Sequence, residues 1–137
     1  MIGLFIQNNF WLIFIALAGA YIIFRIAATR LSNINNVEPD EAERLISQEG
    51  AVVIDVRTHN EYAGSRIPNS KHIPLSQIGN RLGEIERYRE RPVVVNCRSG
   101  SRSARACKLL TRNGFSEVYN LRGGLRSWVR ANHVVEN

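Results

Sequence analysis

The polar pattern along the chain divides it in two. From Met1 to Phe24 no side chain carries a charge, and between Phe10 and Phe24 the only polar side-chain groups are the Trp11 indole N–H and the Tyr21 hydroxyl. A helix crossing a bilayer needs about 20 mostly apolar residues. Two stretches meet that length: from about Leu4 to Phe24, and from Phe10 to Ala28 with Arg25 reaching back to the interface. Trp11 and Tyr21, near opposite ends, suit the interfacial aromatic belts. The expectation is a permanent single-span anchor in residues 1–28, in contact with the lipid bilayer through residues 4–24. A buried core helix would normally show a polar face, and this run has none. A cleaved signal peptide is the stronger competitor, because Ala18-Gly19-Ala20 resembles a cleavage site. Against it, no basic residue precedes the run, and Ile22, Ile23 and Phe24 continue it past that site.

Beyond the run the pattern becomes that of an ordinary soluble domain. Thr29 to Asn36 is polar and reads as a linker over residues 29–36. Pro39, acidic Asp40, Glu41 and Glu43, and apolar Ala42, Leu45 and Ile46 predict a short helix stopped near Gly50. Ala51 to Val56 is a β-branched run of the kind buried on both faces of a sheet. A Gly, Ser, Pro and Asn-rich loop follows, then a short strand at His72 to Leu75 and a helix from Gln77 to Tyr88. Val93 to Asn96 predicts a second buried strand and Ser101 to Arg112 a helix stopped by Asn113-Gly114. Glu117 to Leu121 reads as a third strand, and Leu125 to Ala131 as a last helix containing Trp128. Strands alternating with helices imply an α/β fold with a parallel sheet covered on both faces and ligands at the carboxyl ends of its strands. The domain is expected over residues 37–132, with a tail at 133–137.

Composition adds orientation and compartment. The chain has 137 residues, 18 basic and 12 acidic, and 45% hydrophobic content, which fits one globular domain and argues against disorder or a disulfide scaffold. Arg25 and Arg30 follow the span and no basic side chain precedes it. The positive-inside rule then puts the domain on the cytoplasmic side of an inner or cytoplasmic membrane. Cys97 and Cys107, in a reducing compartment, read as reactive or buried thiols rather than a bridge. Arg25 and Arg30 account for two of the 18 basic residues, leaving 16 against 12 acidic from Leu31 onward. That excess is most simply a solvated surface. No basic stripe interleaved with aromatics points to nucleic acid.

Chemistry concentrates between the second strand and the following helix, in Asn96-Cys97-Arg98-Ser99-Gly100-Ser101-Arg102-Ser103. A thiol there faces unpaired backbone N–H groups and the positive end of a helix dipole, which stabilise a thiolate or a bound anion. Arg98 and Arg102 add formal positive charge. The combination should depress the Cys97 pKa and make it a nucleophile. Gly100 lets the loop fold back so that its amides converge, and Ser99, Ser101 and Ser103 keep the mouth open. The alternative is an anion nest in which the cysteine is incidental.

These residues resemble the rhodanese-like sulfurtransferases. The resemblance rests on Asp55-Val56-Arg57 with Glu61-Tyr62, Ile67-Pro68, Ile73-Pro74-Leu75, the loop Cys97 to Ser103, and Gly123-Gly124-Leu125 with Trp128. It spans about Val37 to Ala131. It implies a three-layer α/β/α domain in which Cys97 takes sulfane sulfur from a small anionic donor such as thiosulfate and holds it as a persulfide. The sulfur would pass to cyanide or to a thiol or protein acceptor, with no cofactor. Arg98, Ser99, Gly100, Ser101, Arg102 and Ser103 would bind the donor, the two arginines orienting it and stabilising departing sulfite. Ser65-Arg66-Ile67-Pro68-Asn69-Ser70 departs from the family's usual Gly-His-Ile-Pro-Gly-Ala, which bears on turn geometry there.

Two other functional classes compete. One is a non-catalytic binding or scaffolding module on the same fold. The other is a cysteine-dependent phosphatase or arsenate reductase. Only four residues separate Cys97 from Arg102, and Asn96 stands where such phosphatases carry histidine. A ring that small suits one sulfur atom better than a phosphate. Among the remaining residues, Asp55 and Arg57 are expected to support the loops, with Arg57 able to pair with Glu61 if a helical turn begins there. Cys107 reads as core, Trp128 as the anchor of the last helix, and His59, His72 and His133 have no metal-ligand spacing.

Overall fold

The computed structural model describes the backbone of every residue except Asn33, and the side chains of all but residues 5, 6 and 28–33. The Arg30 side chain, used above for orientation, and Asn33, within the expected linker, lie outside the described residues. The chain forms two units, Met1–Asn33 and Ile34–Asn137.

The first unit is two helices, α1 (Ile2–Asn8) and α2 (Phe10–Ser32). They divide at Asn9, whose carbonyl accepts the N–H groups of Leu12 and Ile13 at 2.9 and 3.3 Å. Residues 4–24 are therefore not one helix: polar Gln7-Asn8-Asn9 breaks the run, as a competing Asn commonly does near a helix start. Phe10–Ala27 within α2 is long and apolar enough to cross a membrane, and none of it is buried. That removes the core-helix reading and leaves a membrane anchor or a signal sequence.

The second unit is built on a five-stranded, wholly parallel sheet in the order β1-β5-β4-β2-β3. Its strands are β1 (Asn35–Val37), β2 (Val52–Asp55), β3 (Lys71–His72), β4 (Pro92–Asn96) and β5 (Glu117–Leu121). The helices are α3 (Pro39–Glu49), α4 (His59–Gly64), α5 (Leu75–Ile78), α6 (Ser101–Arg112) and α7 (Gly124–Arg130). Alternation inside the apolar strands gives each sheet face its own core. Ile54, Val93, Val95 and Val118 pack with Ala106, Cys107 and Leu110 of α6 and with Ile78. Val53, Val94 and Leu121 pack on the other face with Ala42 and Leu45 of α3 and Leu125 and Trp128 of α7. The result is the three-layer α/β/α arrangement.

Four sequence expectations change. The helix expected over Gln77 to Tyr88 is instead α5 followed by two 3₁₀ turns, Leu82–Glu84 and Glu86–Tyr88. Gly79 and Gly83 loosen the backbone, and Ile78, Ile85 and Tyr88 anchor the separate pieces in the core. The strand expected at His72 to Leu75 is confined to Lys71–His72, with Leu75 opening α5. The stretch 29–36 is not a structureless linker, since α2 runs to Ser32 and β1 pairs with β5 from Asn35. Nor is 133–137 a free tail: Arg66 and Glu136 exchange backbone hydrogen bonds at 2.9 and 2.8 Å, and Trp128 Nε1 donates to Val134 O at 2.9 Å. Asn69 takes φ +61°, so it supplies the left-handed turn residue where the family usually has glycine.

Candidate active site

The loop Cys97 to Gly100 joins the carboxyl end of β4 to the start of α6. Gly100 turns it at φ +102°, where a Cβ would lie 3.3 Å from the Gly123 nitrogen. This left-handed glycine folds the amides back over the Cys97 sulfur. Cys97 is fully buried, and its Sγ accepts the Gly100 N–H at 3.0 Å and lies 3.2 Å from Ser103 Oγ. Burial pushes the thiol pKa up, but hydrogen bonds from the Ser103 hydroxyl and from the N–H groups of Ser103, Gly100 and Ser99 outweigh it. The net effect is a thiol below its usual value.

Ser103 belongs to a longer buried chain. It donates to Asn120 Oδ1 at 2.5 Å, while Asn120 Nδ2 donates to Gly100 O at 3.2 Å and to Asn36 Oδ1 at 3.0 Å. Asn120 thus fixes both the loop carbonyl and the hydroxyl beside sulfur. Sequence reasoning missed it. Its signal was a polar residue interrupting β5 next to buried Leu121.

The charged residues divide differently from the expectation. Arg102 does not face the thiol with a free guanidinium: it holds Glu61 bidentately, Nη1–Oε1 2.7 Å and Nη2–Oε2 2.9 Å. Glu61 is drawn down to about 2, chiefly by that arginine and further by Thr58. The Thr58-x-x-Glu61 spacing is a capping box that starts α4, a sequence signal for this position. Arg98 is exposed at the loop, and its guanidinium has no ion-pair or hydrogen-bond partner among the described residues. Ser99 and Ser101 are exposed beside it. Thiol depression therefore comes mainly from hydrogen-bonding dipoles, where two formal charges were expected to carry it.

Asp55 and Arg57 form a buried pair, 0% and 4% exposed, with Arg57 Nη2 2.8 Å from Asp55 Oδ2. Arg57 does not pair with the Glu61 side chain as anticipated. It donates instead to the carbonyls of Glu61 and Ser65 at 3.2 and 2.7 Å, holding both ends of α4. Asn96 Nδ2 donates to Asp55 Oδ2 at 3.2 Å, so the same carboxylate also braces the residue before Cys97. Cys107 lies in the core, where burial pushes its thiol up to about 12. His72 Nε2 sits 2.7 Å from Arg57 O and its ring stacks on Tyr62, while His133 pairs with Asp40.

A parallel α/β domain that holds a buried cysteine sulfur among converging amides at a strand's carboxyl end has the architecture of the cysteine-loop α/β domains. The chain matches the rhodanese-like domain over residues 38–131, and it belongs to that family. It is 38% identical over 98 residues to a sulfurtransferase of Allochromatium vinosum, covering 71% of this chain and 90% of that protein. It is 34% identical over 100 residues to the thiosulfate sulfurtransferase GlpE of Actinobacillus pleuropneumoniae, covering 73% and 91%. Among solved structures, a rhodanese-like domain protein from Staphylococcus aureus superposes with a TM-score of 0.63 at 30% identity, covering 69% of this chain and 91% of that one.

Proposed function

We propose that this chain is a membrane-anchored sulfurtransferase carrying sulfane sulfur as a persulfide on Cys97. One observation carries the reading: Cys97 Sγ accepts the Gly100 N–H at 3.0 Å beside Ser103 Oγ at 3.2 Å, a setting that favours thiolate. The thiolate attacks the sulfane sulfur of thiosulfate or a similar donor. A Cys97–sulfur bond forms, the donor's S–S bond breaks, and sulfite leaves with the bonding pair. An acceptor thiolate or cyanide then attacks the outer sulfur, and Cys97 leaves as thiolate. No oxidant enters either step. Arg98, unpartnered at the mouth, attracts the anionic donor, and the backbone of Ser99, Gly100, Ser101 and Ser103 cradles the added sulfur. Arg102, held by Glu61, positions the loop helix and lends a weaker positive field. Phe10–Ala27 anchors the domain to the cytoplasmic membrane, and basic Arg25 and Arg30 favour a cytoplasmic domain.

Thiosulfate treatment of the detergent-solubilised chain, followed by intact-mass measurement, tests the chemistry. Wild type gains the mass of one sulfur, and Cys97→Ser gains none; an unmodified wild type with every sulfane donor tried defeats the reading. Complementation by Cys97→Ser would favour the scaffold alternative. For topology, protease added to intact spheroplasts leaves the domain uncut, whereas degradation overturns the orientation.

A further inference from the structure

The sulfurtransferase reading gives Arg98 a donor anion to attract and leaves two arginines beside the loop, Arg126 and Arg130, without a task. An open cleft of about 460 Å³ runs along one side of the loop, with Arg98, Arg126 and Arg130 among its lining residues. A second depression of about 240 Å³ includes Ser99 and shares Arg126 and Arg130 with the first. These two arginines, four positions apart on α7, therefore form a ridge between two hollows that both border the nucleophile loop. The ridge is fixed to the loop itself. Leu125 N–H donates to Cys97 O at 2.8 Å, and Arg126 N–H to Arg98 O at 3.3 Å.

None of the Arg98, Arg126 and Arg130 guanidinium groups has an ion-pair or hydrogen-bond partner among the described residues. The one carboxylate lining the larger cleft, Glu61, is occupied by Arg102. Val129, 49% exposed, offers an apolar contact between the arginines. A small donor anion meets at most one hollow, whereas the charge here extends across both. Arginine with a central apolar contact is also the composition of protein-binding surfaces.

We infer that the Arg98–Arg126–Arg130 face is the docking surface for an acidic protein segment that carries the sulfur-accepting thiol. This rests on the sulfurtransferase reading for its chemistry, while its charge complementarity stands independently. Acidic side chains around the acceptor thiol would engage the ridge and bring that thiol to the mouth of the loop. Its thiolate attacks the outer sulfur of the Cys97 persulfide, the Cys97–sulfur bond breaks, and Cys97 departs as thiolate. The acceptor leaves as a persulfide, so electrons and atoms balance without another reagent.

The test uses the full chain in zwitterionic detergent, its Cys97 persulfide loaded from thiosulfate and the donor removed. Two synthetic peptides of equal length serve as acceptors, one with Asp and Glu flanking a central cysteine, the other with Asn and Gln there. The acidic peptide should accept sulfur about tenfold faster at low salt, with the advantage falling as salt rises. In Arg126→Glu/Arg130→Glu the advantage should vanish, with transfer to uncharged dithiothreitol unchanged. Equal rates for both peptides in wild type, or a preference that survives the double substitution, overturns the proposal. An acidic peptide with serine in place of cysteine, followed by fluorescence anisotropy, reads docking without sulfur. If no persulfide loads but this peptide binds wild type and not the double variant, the surface stands and the sulfurtransferase reading falls. If the peptide does not bind, the surface falls. Abolition of peptide binding by phosphatidylglycerol nanodiscs, with none by phosphatidylcholine nanodiscs, would assign the arginines to lipid headgroups and likewise overturn it.

Discussion

Gly123 and Gly124 give a paired experiment on what holds the thiol loop. Both adopt the left-handed region, at φ +75° and +61°. Alanine at either position costs about 1–2 kcal/mol for that conformation alone. The two differ in what a new Cβ meets. At Gly123 it meets the Ser127 side chain, Cβ at 2.8 Å and Oγ at 2.9 Å: the hydroxyl can rotate away at the expense of its bonds to Arg122 O and Gly124 O, and the Cβ clears with a shift of one turn of α7 by a few tenths of an ångström. At Gly124 it meets backbone: the Cys97 carbonyl oxygen, and Arg98 C and O at 2.5 and 2.6 Å. Those atoms cannot rotate away. Relief requires separating α7 from the loop and losing the hydrogen bonds Leu125 N–H to Cys97 O and Arg126 N–H to Arg98 O.

Two lost backbone bonds add about 2 kcal/mol net to the conformational term. Gly124→Ala should therefore destabilise the domain by about 3–4 kcal/mol, against about 2–3 for Gly123→Ala, which loses the Ser127 hydroxyl's bond, a melting gap on the order of 5 °C for a domain of this size. The displaced loop also withdraws the Gly100 N–H from Sγ, so the thiol pKa of Gly124→Ala should rise toward that of a free cysteine. Urea unfolding of the full chain in detergent gives the first quantity, and the pH dependence of iodoacetamide alkylation the second. The reasoning fails if the two variants are equally stable, or if Gly124→Ala keeps the wild-type thiol titration.

Three further outcomes follow from the same contacts. Glu61 titrates near 2 when folded against an ordinary 4.5, so its contribution is present above pH 4.5 and is lost as pH falls toward 2. The stability difference between wild type and Glu61→Gln, on the order of 1 kcal/mol after solvent screening, should shrink over that window in urea titrations, and a constant difference contradicts the pair. Asp55→Asn leaves the buried Arg57 guanidinium without its counter-charge and should cost about 3–5 kcal/mol in the same assay; a silent substitution would show that the pair supports nothing. Alkylation near neutral pH should modify Cys97 before Cys107, whose thiol is held near 12, and peptide mapping that finds Cys107 modified first refutes this assignment.

The legible parts of the fold carry local punctuation. The Ser101 to Arg112 helix and the Glu117 to Leu121 strand have the expected bounds, because Asn113-Gly114 marks one stop and β-branched or alternating apolar residues mark the strands. The Cys97 loop was legible for the same reason, lying between two well-signalled elements. What escaped is non-local or weakly apolar. β1 is Asn35-Asn36-Val37, whose strand character comes from parallel pairing with β5. α4 buries no side chain, so it has no hydrophobic period, and only its capping box betrays it. Arg102 and Glu61 are 41 positions apart, as are Asn96 and Asp55, and no spacing rule joins them. Proximity along the chain thus made Arg102 look like a partner of the thiol, when folding had already given it a carboxylate.

The hydrogen-bond chain behind the thiol limits how far its pKa can fall. A hydroxyl has one proton, so Ser103 can donate to Asn120 or to Cys97, not to both. Asn120 Nδ2 is committed to Gly100 O and Asn36 Oδ1, which turns its oxygen toward Ser103. With Cys97 as thiol, S–H donates to Ser103 and Ser103 to Asn120, and every group is paired. As thiolate forms, the Ser103 proton turns to sulfur and the Asn120 oxygen, in a residue 4% exposed, loses its donor. That penalty opposes the converging amides, whose hydrogen bonds pull the thiol below its usual value. Opposing influences suit the proposed transfer, because Cys97 must attack in one half-reaction and leave in the other. A thiolate stabilised too strongly leaves well but attacks poorly, and the best attacking thiol has a pKa near ambient pH. The Ser103–Asn120–Asn36 chain thus tunes the thiol with neutral dipoles, and in the proposed transfer the arginines on the loop and α7 act on whatever the thiol meets.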